Sequence, residues 1–192
     1  MPELSLRLAR ETASDEDLLR LASLNTGYRF ERTATGEVVV TPPAGSESSR
    51  KNGLLYAQLE RWNAAGRFGY TFESSAGFRM PDSAVLSPDV SWIARARYDA
   101  IPSALRRTFA PLCPDLVIEV RSPSDDPGEL LEKLQRLRRY GAAVAMLFDP
   151  DEGVTVLDPE GTHVEGRIEN LEIARGVLAD AALILTFSGL YD

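Results

Sequence analysis

Pro114-Asp115-Leu116-Val117-Ile118-Glu119-Val120-Arg121 is an apolar, strand-like run that carries one carboxylate and, two residues later, a cation. Side chains alternate along a strand, so Val117, Glu119 and Arg121 share one face while Leu116, Ile118 and Val120 share the other. A carboxylate inside a buried strand is costly unless it is paired or holds a metal. Glu119 therefore marks a place where the chain keeps a charge for a reason.

Working outward, a helix is expected over residues 128–140, closed by Gly141, with Leu130, Leu134 and Leu137 turned to the core, and a strand over 143–148 follows it. That strand, helix, strand unit predicts a right-handed crossover between parallel neighbours. Pro150-Asp151-Glu152-Gly153 then turns the chain into a strand over 154–157. Upstream, Ser14 and Asp17 form a capping pair for a first helix with Leu18, Leu21, Ala22 and Leu24 as its apolar stripe, ended by Gly27. Tyr28 and Phe30 alternate with arginines, Thr33 to Gly36 turns, and a strand over 37–41 completes a hairpin.

A second helix is expected from Ser46, with Leu54, Leu55, Ala57, Leu59 and Trp62 inward and Gly66 just past its end. Strands over 69–73, 77–80 and 89–93 come next, then a connecting segment over 94–109 with a short helix between Pro102 and Pro111. The order implies an α+β fold, α/β/α-like, with a mixed central β-sheet flanked by helices and an N-terminal helix and hairpin. Residues 1–192 are read as a single domain, since 192 residues with 44% hydrophobic content suffice for one core.

No apolar run approaches the ~20 residues that span a bilayer, and the N-terminus lacks a signal peptide's basic and apolar regions, so a soluble, cytoplasmic protein with no membrane partner is expected. A single cysteine, Cys113, makes no internal disulfide, and the only histidine, His163, lies in an acidic, loop-like segment. One of each excludes most zinc sites and any histidine-based nuclease motif. Any metal would be held by oxygen, which points to Mg2+ or Mn2+. The net charge of −8 counts against a general nucleic-acid binder. Residues 1–110 nonetheless hold 14 basic and 13 acidic side chains, against 7 and 16 in the rest. Arg50, Lys51, Arg61, Arg95, Arg97, Arg106 and Arg107 could line a basic groove, or lie as scattered solvated charge.

A second acid stands at the mouth of an apolar run in Ser87-Pro88-Asp89-Val90-Ser91-Trp92-Ile93. Two carboxylates holding a metal can neutralise a phosphoryl group and activate water, and a neighbouring cation stabilises the charge that develops. Asp89, Glu119 and Arg121 make that parts list. The spacing alone is weak in a chain with 29 acidic residues.

Specificity comes from longer segments: Gly45-Ser46-Glu47-Ser48, Phe78-Arg79-Met80-Pro81, Leu86-Ser87-Pro88-Asp89, and Pro114-Asp115-Leu116-Val117-Ile118-Glu119-Val120-Arg121-Ser122-Pro123-Ser124. Together with Glu132-Lys133-Leu134, these resemble the Uma-two family of restriction-endonuclease-like domains in the PD-(D/E)xK nuclease superfamily, over about residues 14–190. The resemblance implies a restriction-endonuclease-like fold and a metal-dependent endonuclease acting on nucleic acid, with DNA the expected substrate. It implies Asp89 and Glu119 as metal ligands and Glu47 as an accessory acid. The lysine expected two residues after Glu119 is replaced by Arg121, which stays charged but cannot act as a base. Lys133, at the rim of the buried face of its helix and near Tyr140, is the expected substitute, its stem reaching over the sheet toward Glu119. The alternative is a catalytically inactive nuclease-fold module that binds protein or nucleic acid.

Plainer roles stand beside these. Asp89 could cap a turn, Glu119 and Arg121 could form a same-face ion pair, Glu47 could favour a first helical turn, and Lys133 could pair with Glu129 at i, i+4. Asp115 is expected at a strand start, and residues 122–127 as a turn and helix cap. The apolar stretch over 182–187 is read as an edge strand that could pair between subunits of a homodimer.

Overall fold

Both faces of the Leu116–Val120 strand are buried. In the computed structural model, which describes residues 4–6, 13–174, 178 and 181–191, the chain runs β1 (Leu4–Leu6), α1 (Asp15–Leu24), β2 (Arg29–Arg32), β3 (Val38–Thr41), α2 (Ser46–Gly66), β4 (Gly69–Glu73), β5 (Phe78–Arg79) and β6 (Val85–Leu86). It continues through β7 (Val90–Ala94), α3 (Arg95–Asp99), α4 (Ser103–Arg106), β8 (Leu116–Val120), α5 (Pro127–Arg139), β9 (Val144–Asp149), β10 (Gly153–Asp158), β11 (Gly161–Gly166), β12 (Asn170–Ile173) and β13 (Leu183–Thr186). The expected domain over residues 1–192 extends beyond the described residues at both ends.

The central sheet has six strands in the order β11-β10-β9-β8-β7-β4. β8 and β9 are parallel and α5 joins them, while every other neighbouring pair is antiparallel. This is the mixed, helix-flanked sheet expected of the α+β reading. Leu116, Ile118 and Val120 pack with Leu55 and Leu59 of α2 and with Leu183, Leu185 and Phe187. Val117 packs on the other side with Leu134 and Leu137 of α5 and with Ala145, Leu147 and Leu157. Each fully buried leucine contributes about 1.5–3 kcal/mol by leaving water, so the two helices clamp the sheet from opposite faces. Glu119 lies on the α5 side by alternation.

A second sheet, in the order β1-β3-β2-β6-β5, carries the N-terminal hairpin, with α1 packed against it through Leu18. The Ser14–Asp17 capping box is present at α1. The helix ends at Leu24, and Gly27 turns the chain beyond it at φ +92°. α5 begins one residue earlier than expected, at Pro127, because Asp126 caps it by accepting from the Gly128 and Glu129 N–H groups.

Several expectations are corrected. The inward stripe of α2 is Lys51, Leu55, Leu59 and Asn63, at strict i, i+4 spacing, whereas Leu54 and Ala57 are exposed. Asn63 is buried because its side-chain oxygen accepts from the Gly69 N–H and the Trp92 indole N–H. The 77–80 strand shortens to two residues, and β1, β6, β11 and β12 are additional. The 94–109 segment holds two short helices, not one. The 182–187 stretch yields β13, which pairs antiparallel with β12 of the same chain. Leu183 and Leu185 alternate into the core, while Ile184 is exposed and the other edge of β13 has no partner strand among the described residues.

One glycine is required by close approach. Gly153, at φ +113°, opens β10 so near β11 that a Cβ there would lie 2.0 Å from the Gly166 carbonyl.

Candidate active site

Four separate elements bring charge to one buried spot. β8 supplies Glu119, the loop entering β7 supplies Ser87 and Asp89, α5 supplies Lys133, and β2 supplies Arg29 and Glu31. Lys133 faces the sheet because the stripe of Leu134 and Leu137 rotates that side of α5 inward. Arg29 and Glu31 share a face of β2 by alternation, leaving Phe30 to the core of the hairpin.

The Lys133 amine lies 2.9 Å from Glu119 Oε1 and 3.3 Å from Glu31 Oε1, and it donates to the Ser87 carbonyl at 3.4 Å. Glu31 Oε1 accepts from the Ser87 N–H at 2.6 Å, which ties β2 to the Ser87–Asp89 loop. Asp89 accepts at 2.9 Å from Arg29 through Oδ1 and at 3.0 Å from the Val120 N–H through Oδ2. The loop that carries one acid is thereby bonded to the strand that carries the other. Glu119 Oε1 has Lys133 as its ion-pair partner but lacks the alignment of a hydrogen bond, so a buried oxygen is left with hydrogen-bonding capacity to spare.

Electrostatics follow from burial and neighbours. Burial pushes the Glu119 carboxyl up to about 7; Lys133 pulls against this and Asp89 adds to it. Glu31 is equally enclosed, but Lys133, Arg29 and the Ser87 N–H together outweigh burial and hold it below the ordinary carboxylate range. Burial works against the charge on Lys133, and Glu119 and Glu31 overcome it, so its pKa is raised and the amine stays protonated.

Of the residues expected at the site, the structure unites Asp89, Glu119 and Lys133. Arg121 is elsewhere: it binds Asp149 at 3.1 Å and Asp151 at 3.3 Å, and no ion pair joins it to Glu119 among the described residues. Glu47 is exposed in the first turn of α2 and pairs with Arg50 at 3.2 Å. Both line an open groove of about 350 Å³ past the end of β8. Lys133 pairs with Glu119 and Glu31 where Glu129 was its alternative, and Tyr140 instead donates to Asp82. Asp115 takes its strand-start role, accepting from the Ala94 N–H and from Arg97. Of the seven residues expected to line a basic groove, three are matched by carboxylates, Arg50 by Glu47, Arg97 by Asp115 and Arg106 by Asp99. Cys113 is buried, with its thiol pushed up to about 12 by that burial, and is no nucleophile.

Arg29 and Glu31 were not anticipated. The signal in the sequence was the alternation Arg29, Phe30, Glu31, which a solvent-facing hairpin strand satisfies equally well. A separate trio, Asp158, Glu160 and His163, gathers at the β10–β11 turn with donor atoms within 4.8 Å of one another.

No helix among the described residues is long and apolar enough to cross a membrane. No protein of curated function matches the chain. A solved structure from Anabaena variabilis, titled "a putative nuclease belonging to DUF820", superimposes with a TM-score of 0.73 at 18% identity, covering 93% of this chain and 97% of that one. At that identity the likeness establishes the fold. The model of the Uma2 family, described as "Putative restriction endonuclease", matches residues 15–181, and the chain belongs to that family.

Proposed function

We propose that the chain is a metal-dependent endonuclease that hydrolyses phosphodiester bonds in DNA, with Asp89 and Glu119 as metal ligands and Lys133 as the cation of the site. The observation that carries this reading is the buried convergence of those three side chains from three elements. The donor set fits an oxygen-seeking divalent cation: two carboxylates, no imidazole, and in Glu119 Oε1 a buried oxygen without a hydrogen bond. Magnesium or manganese, when bound, supplies charge neutralisation at the phosphoryl group and a more acidic water.

The chain's own residues do the rest. Lys133, held protonated by two carboxylates, stabilises negative charge on the reacting phosphate and does not act as a base. Glu31 orients Lys133, and Arg29 with the Val120 N–H orients Asp89. Arg121 and Glu47 stand outside the cluster, so in this reading the lysine function has moved from the strand to α5. Incubation of the protein with plasmid DNA and each metal, beside Asp89→Ala and Glu119→Ala, tests it. Nicking that the two variants match would sink the reading. A homodimer able to cut both strands and a cytoplasmic location belong to the same proposal; light scattering reads the first.

The second reading, a silent nuclease-fold domain, draws on the internal compensation of the cluster, where Arg29 and Lys133 already face Asp89, Glu31 and Glu119. Calorimetric titration with manganese separates the two. A working site binds the ion and loses it in Glu119→Gln.

A further inference from the structure

The open groove past the end of β8 is bordered by the first turns of α2, by Arg121 and Ser122, and by the turn between β9 and β10. Its charges are paired with one exception. Glu47 is matched by Arg50, which lies outside the lining, and Arg121 by Asp149 and Asp151. Lys51 lines the same groove, is 9% exposed, and makes no hydrogen bond or ion pair among the described residues. The stem of Lys51 is packed away while its amine opens into the groove with no counter-charge among the described residues, so it is available to an anion that enters there. Its inward position follows from the i, i+4 stripe of α2, which places it one helical turn before Leu55.

The groove offers an anion more than this amine. α2 is 21 residues long and its N-cap, Gly45, has no side chain to bond the first N–H groups, so those donors remain open at the positive end of the helix. Ser48 and Ser122 meet across the groove, their hydroxyls 2.8 Å apart; one donates to the other, which leaves one O–H free to donate to an anion. Glu47 and Asp151 also border it, each held by an arginine. Arg121 follows Glu119 by two residues on a ladder that continues through the Arg121 N–H to the Phe148 carbonyl. The groove therefore begins about 7 Å along the strand from the candidate metal ligand.

We propose that Lys51 and the N-terminus of α2 form a subsite for a backbone phosphodiester of the nucleic acid, next to the position of the scissile phosphate. The assignment of nucleic acid as ligand rests on the nuclease reading; the subsite itself is tested without cleavage. The full chain is titrated into a fluorescein-labelled single-stranded oligonucleotide in EDTA across a series of salt concentrations, with Lys51→Met, which keeps the buried stem, and Lys51→Gln as a second variant should the first fail to fold. Thermal melts check the fold of each. The expected result is affinity about tenfold weaker, with the slope of log K against log salt reduced by about 0.7, and recovery in Lys51→Arg. Wild-type affinity and slope in the folded variants would overturn the proposal. So would a Lys51-dependent response to inorganic phosphate alone with unchanged oligonucleotide binding, which would make the site one for free phosphate. Failure of the nuclease reading looks different: no metal-dependent nicking, while the oligonucleotide still binds through Lys51.

Discussion

Glu31 and Lys133 lie 3.3 Å apart although they belong to different layers, Glu31 to the five-stranded sheet and Lys133 to the helix packed on the six-stranded one. Neither is a member of the acid-and-cation pair that the β8 strand displays. Lys133 is the cation that Glu119 uses, and Glu31 is what keeps it there.

Lys133→Met keeps the stem and removes the charge. Cleavage is expected to fall by at least about 100-fold, the usual effect of deleting a charge-stabilising donor. Arg121→Ala, which breaks contacts to Asp149 and Asp151 only, is expected to stay within about threefold. Single-turnover assays on a labelled duplex measure both; equal losses would return the role to Arg121.

Lys133→Met also leaves Glu119 and Glu31 facing each other in a closed site. Removing one partner of a buried pair costs about 3–5 kcal/mol. Urea denaturation at pH 8 is where the loss is expected to be largest, because without Lys133 the Glu119 carboxyl is pushed further up and must take up a proton for the variant to fold. The variant's midpoint should recover on moving to pH 5, as Glu119 takes up a proton.

The raised pKa of Glu119 has its own signature. Its folded value of about 7 lies above the ordinary 4.5, so the folded state binds more protons between those pH values. That contribution to stability is present below about 4.5 and is lost as pH rises to about 7, by on the order of 3 kcal/mol. Glu119→Gln removes the titration, and its stability is expected to vary less with pH across that window than the wild type's. Manganese affinity runs the other way, tightening as pH rises and Glu119 gives up its proton.

Glu31→Gln keeps an acceptor for the Ser87 N–H but loses the charge that faces Lys133. Activity is expected to drop about tenfold, roughly 1.4 kcal/mol of barrier, with oligonucleotide affinity unchanged. A loss of affinity with cleavage intact would remove Glu31 from the site.

Gly153→Ala is a control remote from the chemistry. A Cβ 2.0 Å from the Gly166 carbonyl, on a backbone at φ +113°, is expected to cost about 3 kcal/mol or more. A melting temperature within a degree of wild type would contradict the β10–β11 approach.

The legible part of the sequence was what local pattern controls. The β8 run, the α5 stripe and the parallel β9 strand follow from alternation and helical spacing, and Lys133 from its angle on that helix. Asp89 and Glu119 were legible because a carboxylate beside an apolar run has few cheap explanations. Arg29 and Glu31 were hidden because their partners lie far along the chain, and nothing in residues 28–32 tells a solvent-facing hairpin from one laid against another sheet. Lys51 and Asn63 displaced Leu54 and Ala57 on α2 for a related reason: an i, i+4 polar stripe becomes an inner face only when tertiary partners such as the Trp92 indole exist. Short strands such as β6, with two residues, carry no periodicity to read.

The division of the charge cluster between two sheets also bears on the order of events during synthesis. Neither Glu119 nor Asp89 acquires its full set of neighbours until α5 has been made and the β2–β3 hairpin has docked. Until then its charges stay dispersed in water, so an incomplete or clipped chain carries the acids of the candidate site without their arrangement. Amide exchange at Val120, whose N–H is held by Asp89, times the moment the site closes.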